Sequence, residues 1–123
     1  LELDDERHPR HDERYASLAP DVLPATECLK DVVNRMMPYW YDDVVPALRA
    51  GRSLLIAAHG NSLRALVKHL EGISDEEIPG LNIPTGVPRR YVLSEDLEEE
   101  SAEYLGDADA IAAAAEAVAK QAG

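Results

Sequence analysis

The stretch that decides the fold class lies at residues 53–64 and reads SLLIAAHGNSLR. Its first six residues, 53–58, form a short apolar run without polar alternation, which is typical of a strand covered on both faces of a parallel sheet. A helix pattern follows over about 63–71 and stops at Gly72. The apolar face of that helix comprises Leu63, Leu66, Val67 and Leu70. A buried strand leading directly into an amphipathic helix predicts an α/β fold.

An earlier helix is predicted upstream of this stretch. Thr26 is a plausible N-cap, with Glu27 in the first turn. The apolar face of this helix comprises Leu29, Val32, Val33, Met36 and Trp40. Pro38 and Pro46 predict that the helix bends or divides, and Gly51 predicts its C-terminal end.

The remaining segments give weaker patterns. Residues 1–22 are charged and aperiodic, so we expect an extended or loop segment. Residues 74–77 form a capping box that predicts a short helix. Residues 91–93 are a doubtful second strand, and the acidic run 98–100 is interpreted as a solvated face or a cap. The Ala-rich tail predicts a helix with Ile111, Ala115, Val118 and Ala122 in line.

The predicted sheet has too few strands. A strand buried on both faces needs hydrogen-bonded neighbours on both edges, and the chain offers only 53–58 and the doubtful 91–93. We therefore expect an incomplete sheet, with an exposed apolar edge that associates or aggregates when the chain is alone.

Composition excludes several classes of function. The chain has 24 acidic and 12 basic residues among 123, a net charge of −12 that disfavours nucleic acid and anionic membranes. No apolar run approaches the roughly 20 residues that span a bilayer. The acidic start LELDDERHPR has no apolar segment of a secretory signal, and a single cysteine fits a reducing compartment, so we expect a cytoplasmic protein.

The lone cysteine and three of the histidines are interpreted as structural or solvated. Cys28 stands among apolar neighbours and is expected to be a small buried side chain. His8, His11 and His69 are expected to be solvated. No cysteine or histidine cluster has metal-ligand spacing, so no metal is expected.

The candidate site is the junction of strand and helix, where open α/β sheets bind ligands. His59 lies there and could donate to a phosphate oxygen, because the N-terminus of a helix favours an anion. Gly60 would permit positive φ or close backbone approach, and Asn61 or Ser62 could cap the helix. Arg64 would add positive charge. A structural histidine bonded to the backbone is the alternative interpretation of His59.

These residues carry a resemblance to a known family. The strings LLIAAHGNSLRALVKHLEGISDEEI, LNIPTGVPRRY and YLGDADAIAAAAEAVAKQAG resemble the second half of the cofactor-dependent phosphoglycerate mutases of the histidine phosphatase superfamily, over about residues 15–123. The resemblance implies residues 23–123 as the C-terminal half of a single three-layer α/β/α domain. It also implies interconversion of 3-phosphoglycerate and 2-phosphoglycerate through a phosphohistidine, with 2,3-bisphosphoglycerate as the priming donor.

Individual roles follow from the same resemblance. His59 matches the family's second active-site histidine, which stabilises the transferring phosphoryl group, and Gly60 and Asn61 match contacts to the bound phosphoglycerate. The Ala-rich tail resembles a segment over the active-site mouth, although a plain surface helix remains an equal alternative. The resemblance also implies a homo-oligomer.

The chain departs from the family in one large respect. The phospho-accepting histidine stands in an Arg-His-Gly motif, which neither 7–9 nor 10–12 provides, because each lacks the glycine and the preceding strand. We therefore expect the N-terminal half of the enzyme, on the same or a separate chain, as partner, and an inactive chain when alone. The alternatives are a non-catalytic phosphate-binding or assembly fragment, and a phosphatase acting on other phosphate esters.

Overall fold

The computed structural model describes residues 2–24 and 26–121. Its helices are α1 (Leu29–Tyr39), α2 (Val45–Arg49), α3 (Gly60–Glu71) and α4 (Ala108–Gln121), with a π-helical turn at Trp40–Val44 between the first two. Its strands are β1 (Arg89–Leu93) and β2 (Glu99–Tyr104). The predicted tail helix is confirmed as α4, whereas the predicted position of Ala122 lies outside the described residues.

The start of α1 differs from the prediction. The helix begins at Leu29, and its N-cap is Cys28, not Thr26. The backbone N–H of Cys28 donates to Oδ2 of Asp31 at 2.9 Å, and this bond lowers the pKa of the Asp31 carboxyl. Cys28 is exposed, so its predicted burial is wrong. The cap position lies at the open end of the helix, outside the apolar face.

The predicted division of this helix is confirmed. Pro38 lies inside α1, and a π-helical turn follows it at Trp40–Val44. In that turn the N–H of Val45 donates to the carbonyl of Trp40, five residues back. Pro46 has no N–H and its ring crowds the preceding turn, so a locally wider turn before it avoids the clash.

Two glycines end helices as predicted. Gly51 has φ 75° and follows α2, with its N–H donating to the carbonyl of Leu48 at 2.8 Å. Gly72 has φ 62° and caps α3, with its N–H donating to Lys68. Only a residue without Cβ enters this left-handed region at little cost, so both stops are local properties of the sequence.

The core lies between the α1–α2 segment, α3 and the loop that joins the strands. Its buried centre is Trp40, Val44 and Val45. The partly buried side chains packed against that centre are Met37, Leu48, Leu66, Leu70, Leu93 and Leu97. The amphipathic faces predicted for both helices therefore meet each other, and the hairpin closes one side.

The sheet is a two-stranded antiparallel hairpin in which Arg89 lies opposite Tyr104. The doubtful strand at 91–93 is confirmed and forms part of β1. Strand β2 was missed, because the acidic run 98–100 was interpreted as a solvated face or a cap. Its side chains are indeed exposed, but residues 99 and 100 belong to β2. Only two of its six side chains are even half-buried, so its apolar alternation is faint.

Residues 53–58 do not form the predicted strand. They have no regular secondary structure, and every residue from 51 to 60 is exposed. Leu55 is 92% exposed. Strand pairing needs a neighbouring backbone, and the described part of the chain supplies none beside this stretch. The result is an incomplete α/β fold, as the strand count predicted.

The short helix predicted after residues 74–77 is wrong, and the segment 2–22, predicted as extended or loop, contains only short turns. The capping box forms, since Ser74 Oγ and the Glu77 carboxylate bond each other at 2.8 Å. However, only a 3₁₀ turn at Ile78–Gly80 follows, because Pro79 lacks an N–H and no further turn is added. Residues 2–22 contain short 3₁₀ turns, located at Pro9–His11, Glu13–Tyr15 and Pro20–Val22.

Candidate functional site

His59 lies at the predicted junction, between the exposed stretch 53–58 and α3. It is the N-cap of that helix, so α3 begins earlier than predicted, and the proposed caps Asn61 and Ser62 are wrong. The ring Nδ1 of His59 accepts a hydrogen bond from the backbone N–H of Asn61 at 3.3 Å. Its carbonyl accepts from the N–H of Leu63 at 3.0 Å.

Gly60 occupies the first position of α3 with ordinary helical backbone, not the positive φ that we considered. A Cβ placed on Gly60 would have nothing within 4 Å of it. Neither backbone strain nor packing within the described residues therefore calls for a glycine here. The open space beside it is available to a ligand or to another segment of protein.

The three candidate residues, His59, Gly60 and Asn61, lie next to one another and are all exposed. The first turn of a helix carries N–H groups without intrahelical partners and the positive end of the helix dipole, so this surface favours an anion. The imidazole of His59 adds one side-chain donor. The arrangement can bind and stabilise negative charge.

Arg64 serves the packing of a loop. Its Nη2 donates to the carbonyl of Ile78 at 2.7 Å. Its Nε is buried without a hydrogen-bond partner among the residues that the structure describes. Lys68, one turn later, donates to the carbonyl of Ile73 at 2.5 Å and pairs with Asp75 at 2.9 Å. These two side chains tie the 73–78 loop to α3.

His8 is buried, not solvated as predicted, with 3% of its surface exposed. Its Nδ1 accepts from the N–H of Arg10 at 3.1 Å, and it caps the turn at Pro9–His11. The local 3₁₀ turns bury the ring, which charge patterning alone did not reveal. His11 is exposed as predicted, and its Nε2 lies 3.3 Å from the carbonyl of Leu3.

His69 also departs from the prediction. Its ring packs edge-on against Trp40 and Tyr41, at centroid distances of 5.7 and 5.8 Å. Partial burial lowers its pKa below the ordinary value. The adjacent Lys68 suggested a surface position, but His69 follows Leu66 by three residues and shares its face toward α1.

A polar cluster that sequence reasoning missed joins α3 to the hairpin. Arg89 donates to Glu71 at 2.7 Å and to the hydroxyl of Tyr91 at 2.8 Å, and that hydroxyl donates to Glu71 as well. The guanidinium also lies 4.6 Å from the ring centre of Tyr104. Burial, followed by the bond to Glu71, raises the pKa of Tyr91. Arg89 and Tyr91 are two residues apart, so in a strand they lie on the same face, and this spacing was the signal that the sequence offered for the cluster.

An apolar groove of about 1070 Å³ runs beside the exposed stretch 53–58. Its walls come from the α1–α2 segment, α3, the 83–88 loop and β1, and include Trp40, Leu48, Leu66, Ile83, Val87 and Leu93. Leu54, Leu55 and Ile56 also line it. An open apolar groove beside an unpaired extended segment is the kind of exposed apolar surface that marks a site of interaction.

The described residues contain neither a metal-binding cluster nor a membrane-spanning helix. No group of three or more histidine, cysteine, aspartate or glutamate side chains within 2–24 and 26–121 could hold a metal ion. None of the helices described is long and apolar enough to cross a membrane.

Comparison with known proteins shows a family and a close relative among many matching proteins. The family described as histidine phosphatase superfamily (branch 1) matches residues 1–101 of the chain. A 2,3-bisphosphoglycerate-dependent phosphoglycerate mutase of Streptomyces avermitilis is 64% identical over 112 residues, which are 89% of this chain and 44% of that protein. The chain spans less than half the length of the curated relative that it matches.

Proposed function

Because this chain belongs to the histidine phosphatase superfamily (branch 1), we propose that it is the C-terminal half of a phosphoglycerate mutase. The complete enzyme would interconvert 3-phosphoglycerate and 2-phosphoglycerate through a phosphohistidine, and would act in the cytoplasm. The observation that carries the proposal is an exposed histidine at the free N-terminus of α3, in a chain 64% identical to a relative of that name.

His59 is the catalytic residue of this half. Its imidazole would donate a hydrogen bond to a phosphoryl oxygen and stabilise the charge that develops during transfer. Gly60 and Asn61 would contact the bound phosphoglycerate, one by close backbone approach and the other by its side-chain amide. The exposure of all three, and the empty space beside Gly60, support these roles.

The same surface fits part of a site for 2,3-bisphosphoglycerate, because a helix N-terminus with a histidine donor suits a phosphate ester. That compound, when bound, would supply the phosphoryl group that primes the enzyme. His59 and the N-terminal N–H groups of α3 would hold one of its phosphates. The strongly acidic chain, with a net charge of −12, makes these local donors necessary for any anionic ligand. The proposal involves no metal.

The N-terminal half of the enzyme is the proposed partner, on the same or a separate chain. It would supply the phospho-accepting histidine and the strands that pair with residues 53–58. Leu55 supports this, since a leucine that is 92% exposed in an apolar stretch gains from being covered. The apolar groove beside it would be filled by the same segment. The assembled enzyme would form a homo-oligomer, and this chain alone would be inactive.

A chimera tests the proposal. In it, this chain replaces the matched segment of the Streptomyces relative, and the unaltered relative and the isolated chain serve as controls. We expect mutase activity and an acid-labile phosphohistidine in the chimera, and neither in the isolated chain.

Three results would contradict it. A folded chimera that hydrolyses phosphate esters without isomerising phosphoglycerate would favour a phosphatase. One that binds phosphoglycerate without turnover would favour a non-catalytic fragment. Full mutase activity of the isolated chain would remove the need for a partner half.

A further inference from the structure

Two histidines of this chain cap the turns that follow them through the same ring atom. Nδ1 of His59 accepts from the N–H of Asn61 at 3.3 Å, and Nδ1 of His8 accepts from the N–H of Arg10 at 3.1 Å. Both have extended backbone, with φ and ψ of −61° and 148° for His59 and −65° and 133° for His8. A backbone N–H can only donate, so in each case the facing nitrogen is unprotonated.

This bond determines where the proton of His59 lies. A neutral imidazole carries one N–H, and with the lone pair at Nδ1 the proton is at Nε2. His59 is exposed, which leaves Nε2 open to a ligand. His8 makes the same bond, but its ring is 3% exposed, so only its capping role is available.

We propose that α3 sets the tautomer of His59, so that the residue donates through Nε2–H. Asn61 is then a positioning residue through its backbone N–H, in addition to any contact made by its side chain. The identity of the acceptor, a phosphoryl oxygen, rests on the function proposed above. The tautomer does not, because it follows from the hydrogen bond with Asn61.

The hydrogen bond from Asn61 to Nδ1 is incompatible with a proton on Nδ1, which an imidazolium would carry. A proton on Nδ1 would face the N–H of Asn61, donor against donor, and would break the cap of α3. His59 therefore stabilises the transferring group by a hydrogen bond in which its own proton stays on Nε2. No covalent bond of His59 forms or breaks in this step.

Nitrogen-15 NMR of the histidine rings in the chimera and in the full 123-residue chain tests the tautomer directly. The signals of His59 are assigned by their loss in His59→Asn. We expect a pyridine-like Nδ1 and a pyrrole-like Nε2, and the same pattern for His8. A protonated Nδ1 on His59, in the neutral Nδ1–H tautomer or in the imidazolium, would overturn the inference. The readout does not depend on activity, so an inactive chimera would count against the proposed function alone.

A pair of substitutions tests the donor atom. The amide of His59→Asn superimposes on the Nδ1 side of the ring and keeps a good N-cap, whereas His59→Gln reaches the Nε2 position but caps poorly. We expect His59→Asn to keep the thermal midpoint of the chimera. Its kcat should fall about 10²- to 10³-fold, as expected when one hydrogen-bond donor directed at the developing charge is lost. His59→Gln should unfold at lower temperature, yet retain clearly more kcat. A His59→Asn enzyme as active as His59→Gln would refute the assignment of Nε2.

Discussion

Nη2 of Arg89 donates a hydrogen bond to Oε1 of Glu71 at 2.7 Å, and this contact joins strand β1 to the last residue of α3. The hydroxyl of Tyr91 donates to the same oxygen. One carboxylate oxygen of Glu71 therefore accepts hydrogen bonds from both Arg89 and Tyr91, and these two side chains are mostly buried. The next residue, Arg90, makes a pair with Glu103 on the exposed face of the hairpin.

Glu71→Ala should lower the free energy of unfolding by about 1–3 kcal/mol, because it leaves two half-buried donors without their acceptor. Chemical denaturation of the chimera measures it. Glu103→Ala is the matched control, since its partner Arg90 is on the exposed face and such pairs contribute little. Equal losses from the two substitutions would show that the Glu71 cluster does not hold the hairpin to α3.

We expect Tyr91 to make the folded protein less stable in alkali. Its pKa is raised in the folded protein, first by burial and then by the bond to Glu71, so folding favours the neutral phenol. That contribution is complete below the ordinary tyrosine pKa of about 10 and falls as the pH rises above it. Unfolding of the chimera measured from neutral pH upward should show this decline, and Tyr91→Phe should reduce it. An unchanged slope in Tyr91→Phe would assign the decline to other groups.

We expect His69 to have the opposite effect, so that the folded protein becomes less stable in mild acid. Burial lowers its pKa in the folded state, so the unfolded chain takes up the proton first. The stability contribution is complete above the ordinary histidine pKa of about 6.5 and is lost as the pH falls through the lowered folded value. His69→Phe keeps a ring against Trp40 and should flatten the acid limb of the unfolding curve. His11→Gln, on an exposed residue, is the control and should leave that limb as it is.

Leu55→Asp should act in opposite directions in the two proteins. In the isolated chain it places a charge in the exposed apolar stretch, so self-association seen by sedimentation should decrease. In the chimera, where we propose that strands cover Leu55, the same charge should lower stability and activity strongly. Leu18→Asp, on a leucine that is 48% exposed in the N-terminal segment, is the control. A chimera indifferent to Leu55→Asp would contradict the proposed strand pairing.

His59→Ala in the chimera should reduce kcat by several orders of magnitude and lower the thermal midpoint, because both the hydrogen-bond donor and the cap of α3 are lost, while its exposed position leaves the rest of the fold intact. Asn61→Ala should mainly raise KM, since its side chain is assigned to substrate binding and its backbone N–H survives. Steady-state kinetics with circular dichroism measure both. Near-normal turnover in His59→Ala, or an unchanged KM in Asn61→Ala, would remove the assigned role.

Much of the local structure could be read from particular residues. Gly51 and Gly72 end helices because they alone tolerate the left-handed backbone found there. The helix divides before Pro46, which lies in the first turn of α2, because proline lacks an N–H. The position of His59 before a helix could be predicted, although its own capping role could not. Serine and asparagine are the usual caps, and a histidine that caps through Nδ1 has no distinct pattern.

Contacts between separate secondary-structure elements were harder to predict from the sequence. Strand β2 carries mostly acidic, exposed side chains, so its existence depends on backbone pairing with β1 and not on its own alternation. His69 is half-buried because Trp40 and Tyr41 approach from another element. Both depend on a partner in another secondary-structure element.

Local sequence specifies where α2 and α3 stop, which helix faces are apolar, and that 53–58 has the composition of a buried strand. Those properties depend on backbone sterics and on the periodicity of neighbouring residues. Whether 53–58 becomes a strand was decided by tertiary structure, because a strand exists only when another backbone bonds its edges. In this chain those residues are exposed, and we propose that neighbouring strands pair beside Leu55, which is 92% exposed.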